Sequence, residues 1–513
     1  MIMSTDIYYR PEWTCGKYNE EKHVAIMFNL IANGEYFFEN ESADVIGLIL
    51  KAGRNGEVRI SNVSKMLNIA EDCIIPFFYQ LLEIGLLIDK LPTKNDIYIY
   101  RKYCLSQSNT TKYIGDKLDG FLQCGISSVE QAYADAVADC TKITSVIFEL
   151  TYRCNEKCLH CYNPGATRND SEKSTRGTFS ELTLNDYKRI IDEMCDAGLV
   201  TATLTGGDPF LYNDIWHVIE YLYQKDIAIT ILTNGQKIVN QIKKLADLYP
   251  RSIRLSLYSE NPEIHDKITR KVGSWQTSIN SITALREMAI PVVINCVIMR
   301  PCVKSYMGLK KIAQSLSCAI LFDYCVVDSI DGDVCATRNL RLTPEELLCV
   351  MMDPDIEPKT KDGEMYSNPA PATKGAPCLA GRGTFAVMPD GKLIPCVSMH
   401  MILGDLKRTS FYKIIKSNII LKKMLEAKEC DYIECGSHDY CSHCFFCAGN
   451  SFSEHNYPFR ANENNCYIAK NRHKLVMLLK SGIDPIGGHS VSEIIESYPD
   501  YTFSLMSRKY KKG

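Results

Sequence analysis

Cys154, Cys158 and Cys161 stand in a C-x3-C-x2-C array inside the short loop that runs from Tyr152 to Asn163. Three thiolates on one tight loop match three irons of a four-iron cluster, for which thiolates are the usual protein ligands. The fourth iron would then be left for something other than protein. A structural zinc ion would need a fourth Cys or His, and His160, sandwiched between two of the three cysteines, is poorly placed to serve. With 23 cysteines in 513 residues, this spacing arises by chance only about 0.05 times, so the cluster reading leads.

A second constellation begins at Cys378. Between it and Cys396 lies an apolar stretch with Asp390-Gly391 at its middle, a hairpin pattern that brings cysteines far apart in sequence to one metal. Cys430, Cys435, Cys441, Cys444, Cys447 and Cys466 follow. These residues supply enough ligands for zinc as well as for iron–sulfur, and spacing alone leaves the two nearly even.

Positioning the first loop requires a rigid frame. From 145 to about 330 apolar runs alternate with amphipathic ones, which predicts a parallel sheet of βα units. The expected strands are 146–151, 201–205, 228–233, 253–258, 292–299 and 320–327. Helices are expected over 184–197, 214–225, 237–248, 274–288 and 305–316. Six strands point to an open, partial barrel, with the chemistry at their carboxyl ends. There lie the cysteine loop, Gly206-Gly207-Asp208-Pro209, Asn234, Ser256 and Asn295. The two glycines let backbone approach a ligand and present its carbonyls and amides.

Composition narrows the class. Net charge of -3 gives no support for bulk nucleic-acid binding. No basic-then-apolar start marks a signal peptide, and no run of about 18 apolar residues marks a membrane span. The clustered cysteines then fit metal ligation in a reducing cytoplasm rather than disulfides. Twelve others, Cys325 among them, show no ligand spacing, and most read as small buried hydrophobes.

The first hundred residues show strands at 23–31 and 35–39 about an Asn33-Gly34 turn, then helices over 42–51, 60–67 and 71–84, and a wing-like strand at 86–89. Pro76 fits only a first turn, so the third helix is expected to begin a few residues late. The pattern is a winged helix, yet residues 41–90 hold five basic and seven acidic side chains, a poor footprint for phosphates. Capture of an extended peptide on a sheet edge suits it better. Further helices are expected at 116–122 and 127–138.

The core resembles the radical S-adenosylmethionine superfamily over residues 145 to 330. The resemblance implies that Cys154, Cys158 and Cys161 ligate the reducing [4Fe-4S] cluster. Gly206, Gly207, Asp208 and Pro209 correspond to the family's GGE-P motif at the methionine amino group, with Asp208 for the usual Glu. Asn234, Ser256 and Asn295 are implied contacts of S-adenosylmethionine, Arg270 a partner of its carboxylate, and Tyr162 the aromatic beside adenine. An external one-electron reductant such as flavodoxin or ferredoxin is implied too. Residues from Cys378 onward resemble the SPASM extension, with two auxiliary [4Fe-4S] clusters. The expected division is Cys441, Cys444, Cys447 and Cys466 for one, and Cys378, Cys396 and Cys435 for the other, completed by Cys430 or left with an open iron. This chain departs from the SPASM pattern by a shortened gap at Phe445-Phe446 and by Ser451 where cysteine is common.

Residues 1 to 90 resemble the leader-peptide recognition element of ribosomal-peptide modification. The expected organisation is therefore a recognition domain over 1–95, a helical connector over 96–143, a partial (β/α)6 TIM-barrel core over 144–335, a SPASM domain over 336–480 and a tail over 481–513. The implied function is thioether formation in a precursor peptide, of the sactipeptide or ranthipeptide type. Carbon–carbon or carbon–oxygen cross-linking is the alternative. Sulfatase maturation ranks lower, because Val397 follows Cys396 where those enzymes carry aspartate. An iron-sensing transcriptional regulator would leave the radical motifs unexplained.

Overall fold

The computed structural model describes residues 6–108, 128–163, 180–328, 337–357, 380–428 and 431–503. Its N-terminal part has two small sheets. Strands β1 (Ile7–Tyr9) and β5 (Glu57–Arg59) pair antiparallel, and Ile88 adds a single bridge to Tyr9 in place of the expected wing strand. The other sheet is a meander of β2 (Thr14–Asn19), β3 (Val24–Asn29) and β4 (Gly34–Glu39). Strand β2 escapes a reading by periodicity because Thr-Cys-Gly-Lys-Tyr-Asn alternates neither in size nor in polarity.

All six residues of β3 are buried, and alternation sends them into two different cores. Ala25 and Met27 pack on the three helices α1 (Asn40–Lys51), α2 (Ile60–Leu67) and α3 (Glu71–Glu83). Val24, Ile26 and Phe28 pack instead with Tyr133, Val200 and Ala228 of the connector and barrel. The continuous apolar run therefore records a strand buried on both faces. Helix α3 starts at Glu71 and keeps Pro76 inside it, against expectation. Both Pro76 and Asp72, whose carbonyl loses its donor, are exposed, so water can take the lost hydrogen bond. The connector holds α4 (Lys94–Ser108), too polar to be anticipated, and α5 (Ser128–Ala136). The expected helix at 116–122 lies outside the described residues.

Six parallel strands follow in sequence order: β6 (Ser145–Thr151), β7 (Thr201–Gly206), β8 (Ala228–Thr233), β9 (Ser252–Ser256), β10 (Val292–Val297) and β11 (Ala319–Asp323). Between them run α6 (Leu184–Asp196), α7 (Ile215–Gln224), α8 (Ile242–Ala246), α9 (Pro262–Thr269), α10 (Ser274–Glu287) and α11 (Tyr306–Ser315). Helix α9 was not expected; Asn261 caps it, accepting from the N–H groups of Glu263 and Ile264.

The sheet does not stop at the expected domain boundary. Strands β12 (Thr384–Val387), β13 (Lys392–Ile394) and β14 (Gly404–Asp405) continue it to nine strands, with β12 parallel to β6. An apolar first strand would otherwise present an open edge. The C-terminal helices are α12 (Pro344–Met352), α13 (Phe411–Ser417), α14 (Ile419–Leu425), α15 (Ala448–His455), α16 (Glu463–Lys480) and α17 (Val491–Ser497). Helix α17 corrects the reading of residues after 481 as a tail. Ser490 and Glu493 form its capping box, and Ile495 is buried.

Candidate active site and iron–sulfur centres

Each end of the cysteine loop is clamped by backbone. Gly207 N–H donates to Thr151 O at 2.6 Å and Asp208 N–H to Arg153 O at 2.9 Å. From the other side, Lys157 and Leu159 N–H donate to Thr269 O and Ile268 O at 3.0 and 2.9 Å, at the end of α9. Gly206 has φ 139°, and a Cβ there would lie 2.2 Å from Thr151 O; one on Gly207 would lie 2.2 Å from Arg153 O. The glycines are thus required by the loop itself. The amides of Gly207 and Asp208 are consumed in holding it.

Asp208 is fully buried. Its carboxylate accepts from Thr233 Oγ1 at 2.6 Å, Asn234 N–H at 3.0 Å and Phe210 N–H at 3.0 Å, and burial raises its pKa. The short side chain therefore ties the turn after β7 to the turn after β8. Pro209 opens the following 3-10 turn. Asn234 then reaches the loop, donating to Asn155 Oδ1 at 2.6 Å and toward Cys154 Sγ at 3.7 Å.

The three loop thiols are half-buried and free of disulfides. Burial pushes Cys154 up to about 12 and Cys158 well above its ordinary value, and each thiol would raise its neighbours' further on ionising. Such a set ionises readily only against positive charge, which iron supplies. Buried polar atoms lacking a hydrogen-bond partner gather at the same strand ends: Asn155 Nδ2, Glu156 Oε1, Asn163 Nδ2 and Asn295 Oδ1. Ser256 and Asn295 are register partners on β9 and β10. This donor set fits a cluster with a polar ligand beside it.

The Tyr162 hydroxyl donates to Glu149 Oε1 at 3.0 Å, and Tyr152 donates to Glu149 Oε2 at 3.2 Å. Glu149, wholly buried on β6, is a site residue that the sequence reading missed; a charged residue inside an apolar strand run was its signal. Arg270 is exposed at the left-handed cap of α9, φ 55°. The next residue, Lys271, is the cation whose charge reaches Glu156 and Asp208. His160 packs edge-on to Tyr258 at 4.6 Å instead of joining the cysteines.

In the C-terminal part the structure redistributes the expected ligands. Cys435, Cys441, Cys444 and Cys466 lie within electrostatic reach of one another, where the 3-10 turn Asp439–His443 packs on α16. Cys447 instead lies within reach of Cys325. Cys435 thus stands with Cys441, Cys444 and Cys466, where the expected division had Cys447. The short Phe445-Phe446 gap carries Cys447 onto the start of α15 and away from the other four. Cys396 stands after β13, and Cys378 and Cys430 lie outside the described residues. Among the described residues, no three Cys, His, Asp or Glu side chains could together hold a single metal ion, as a structural zinc site would require. Beside the four-cysteine set, buried Arg472 pairs with Glu357 and Tyr324, donates to His443 O at 2.8 Å and stacks 4.3 Å over Phe445.

Comparison with known proteins agrees with this geometry. Residues 148–301 match the radical SAM superfamily, and residues 378–447 match the SPASM iron–sulfur cluster-binding domain. The chain is 26% identical over 336 residues to the antilisterial bacteriocin subtilosin biosynthesis protein AlbA of Bacillus subtilis, covering 63% of this chain and 70% of that one. It is 23% identical over 339 residues to an AdoMet-dependent heme synthase of Methanosarcina barkeri, covering 60% and 92%. The crystal structure of Streptococcus suis SuiB bound to precursor peptide SuiA superposes with a TM-score of 0.51 at 14% identity, over 90% of this chain and 99% of that one. The chain carries a radical SAM domain and a SPASM iron–sulfur cluster-binding domain. Its cofactors are [4Fe-4S] clusters and S-adenosylmethionine.

Proposed function

We propose that the enzyme is a peptide maturase that installs a cysteine thioether in a ribosomally made precursor. The observation that carries this reading is a three-stranded sheet docked on the barrel, in which β4 pairs only with β3 among the described residues. In this proposal its other edge takes an extended peptide, the β-augmentation mode of recognition. AlbA, named for bacteriocin biosynthesis, and SuiB, crystallised with a precursor peptide, support the same substrate class.

In this proposal Cys154, Cys158 and Cys161 hold the cluster, while Asn234, Ser256 and Asn295 orient S-adenosylmethionine at the strand ends. When bound, these groups supply a 5′-deoxyadenosyl radical able to take hydrogen from a peptide carbon. Asp208 and the two glycines keep the loop in place, and the buried Glu149 with Tyr152 and Tyr162 closes the interior beneath it. The two C-terminal cysteine sets hold clusters that take up the surplus electron, and a flavodoxin or ferredoxin delivers the starting one.

The test is anaerobic incubation of the reconstituted enzyme with a small cysteine-rich peptide encoded beside it. A thioether removes about 2 Da per bond, two hydrogens being lost, and makes that cysteine resist alkylation. A product that loses the same mass but keeps its cysteine alkylatable would replace the thioether with a carbon–carbon or carbon–oxygen link.

A further inference from the structure

Cys325 lies two residues beyond β11, outside the segments that match the radical SAM and SPASM families. Read as a small buried hydrophobe, it should meet only apolar side chains. It packs against the main core, yet its sulfur also meets polar donors. Asn464 Nδ2 donates to its sulfur at 3.3 Å and Asn450 Nδ2 at 3.7 Å. Both asparagines are buried, and each is fixed by a second bond: Asn464 to Val326 O at 3.1 Å, Asn450 to Asn465 Oδ1 at 3.0 Å. Two oriented amides on one sulfur suit a thiolate better than a thiol, and hydrogen bonds to sulfur are a standard feature of iron–sulfur sites.

The neighbours point the same way. Cys447 is the N-cap of α15 without a side-chain capping hydrogen bond, and the backbone N–H groups of Gly449 and Asn450 lie near its sulfur. A Cβ on Gly449 would lie 2.6 Å from the Ser398 Cβ, so the helix start is pressed against the turn that begins at Cys396. Cys325 and Cys447 are within electrostatic reach of each other. Cys325, after the barrel sheet, and Cys447, at a helix N-terminus, therefore adjoin, and the turn that begins at Cys396 packs on that helix start. A helix N-terminus and two amide donors are a natural seat for an anionic cluster.

We propose that Cys325 ligates the auxiliary cluster held by Cys396 and Cys447, anchoring that cluster directly to the last strand of the barrel. On ligation the Cys325 thiol gives up its proton and its sulfur bonds iron, as cysteine ligands must. The proposal rests on the reading that Cys396 and Cys447 belong to a cluster distinct from that of Cys435, Cys441, Cys444 and Cys466.

The test uses the full chain carrying Cys154→Ala, Cys158→Ala and Cys161→Ala, which leaves only auxiliary clusters. Iron and sulfide are counted, and the dithionite-reduced protein is examined by electron paramagnetic resonance and Mössbauer spectroscopy. Adding Cys325→Ser, which keeps the side-chain volume, or Cys325→Ala should remove about four irons per chain or leave a three-iron species. The signal that Cys435→Ala abolishes should persist in both. Iron content and spectra equal to the parent in both Cys325 variants would overturn the proposal, as would loss of both clusters together from the serine variant. A parent holding fewer than two auxiliary clusters would overturn the underlying division as well.

Discussion

The buried carboxylate of Asp208 holds the turn after β7 to the turn after β8. The sequence marked it as part of a cofactor-binding turn; the structure makes it the common acceptor for Thr233, Asn234 and Phe210. Asp208→Ala strands those donors, at about 1–3 kcal/mol for each one left unpaired in the interior. Affinity for S-adenosylmethionine, measured anaerobically by equilibrium binding, should fall by at least about tenfold, since ~1.4 kcal/mol suffices for that. Unchanged affinity would mean that the turns hold without it. His265 is a second case. It is 1% exposed, its Nδ1 accepts the Tyr258 N–H at 3.2 Å, and Nε2 has no partner. Burial lowers its pKa from 6.5 to about 4. Between these values the unfolded chain binds more protons than the folded one, so stability is full above 6.5 and is lost as pH falls toward 4. The loss is about 3 kcal/mol in all. His265→Asn keeps an acceptor and cannot titrate, so its urea midpoint should fall less steeply over that window; equal slopes would refute the assignment. Thr233 and Asn234 were not legible as partners of Asp208, because they lie at the end of a different strand.

Elements were more legible where they were regular. All six parallel strands and five helices of the barrel follow from alternating apolar periodicity, and the cysteine spacing located the loop at the end of β6. What escaped were elements set by tertiary context. Helix α9 is short, and its apolar face is confined to Ile264 and Ile268 with His265, yet its last carbonyls hold the cysteine loop. Strand β12 reads as part of a separate hairpin, and only its pairing with β6 makes it barrel. Contacts between elements distant in sequence were likewise unreadable. Arg251, just before β9, joins Glu35 of β4 and Glu130 of α5, the latter at 2.8 and 3.0 Å. Removing it leaves two carboxylates facing each other at a mostly buried interface. Arg251→Ala should therefore cost about 2–3 kcal/mol, somewhat under the ~3–5 of a wholly buried pair. Urea unfolding followed by a probe in the N-terminal sheet measures it; an unaltered midpoint would show that the apolar face of β3 suffices.

In the proposed function the whole molecule separates recognition from chemistry. Arg251, and Asp226 with its partners Arg10 and Arg54, lie at the amino ends of the barrel strands, so the N-terminal domain docks on that side. The cysteine loop and cofactor residues lie at the carboxyl ends. The seven residues of β6 span about 20 Å between the two. A peptide held at the β4 edge must cover at least that distance, or about six extended residues. Shortening the precursor spacer below this length should abolish modification while leaving leader binding intact. Modification that survives the deletion would contradict recognition at β4. The account's central claim is that a radical made at the cysteine loop takes hydrogen from a peptide carbon. The most direct measurement is deuterium transfer from a perdeuterated precursor peptide, turned over anaerobically with unlabelled S-adenosylmethionine. The prediction is 5′-deoxyadenosine carrying one deuterium for each bond formed, and none when Cys154, Cys158 and Cys161 are replaced by alanine. A modified peptide accompanied by 5′-deoxyadenosine without deuterium would contradict it.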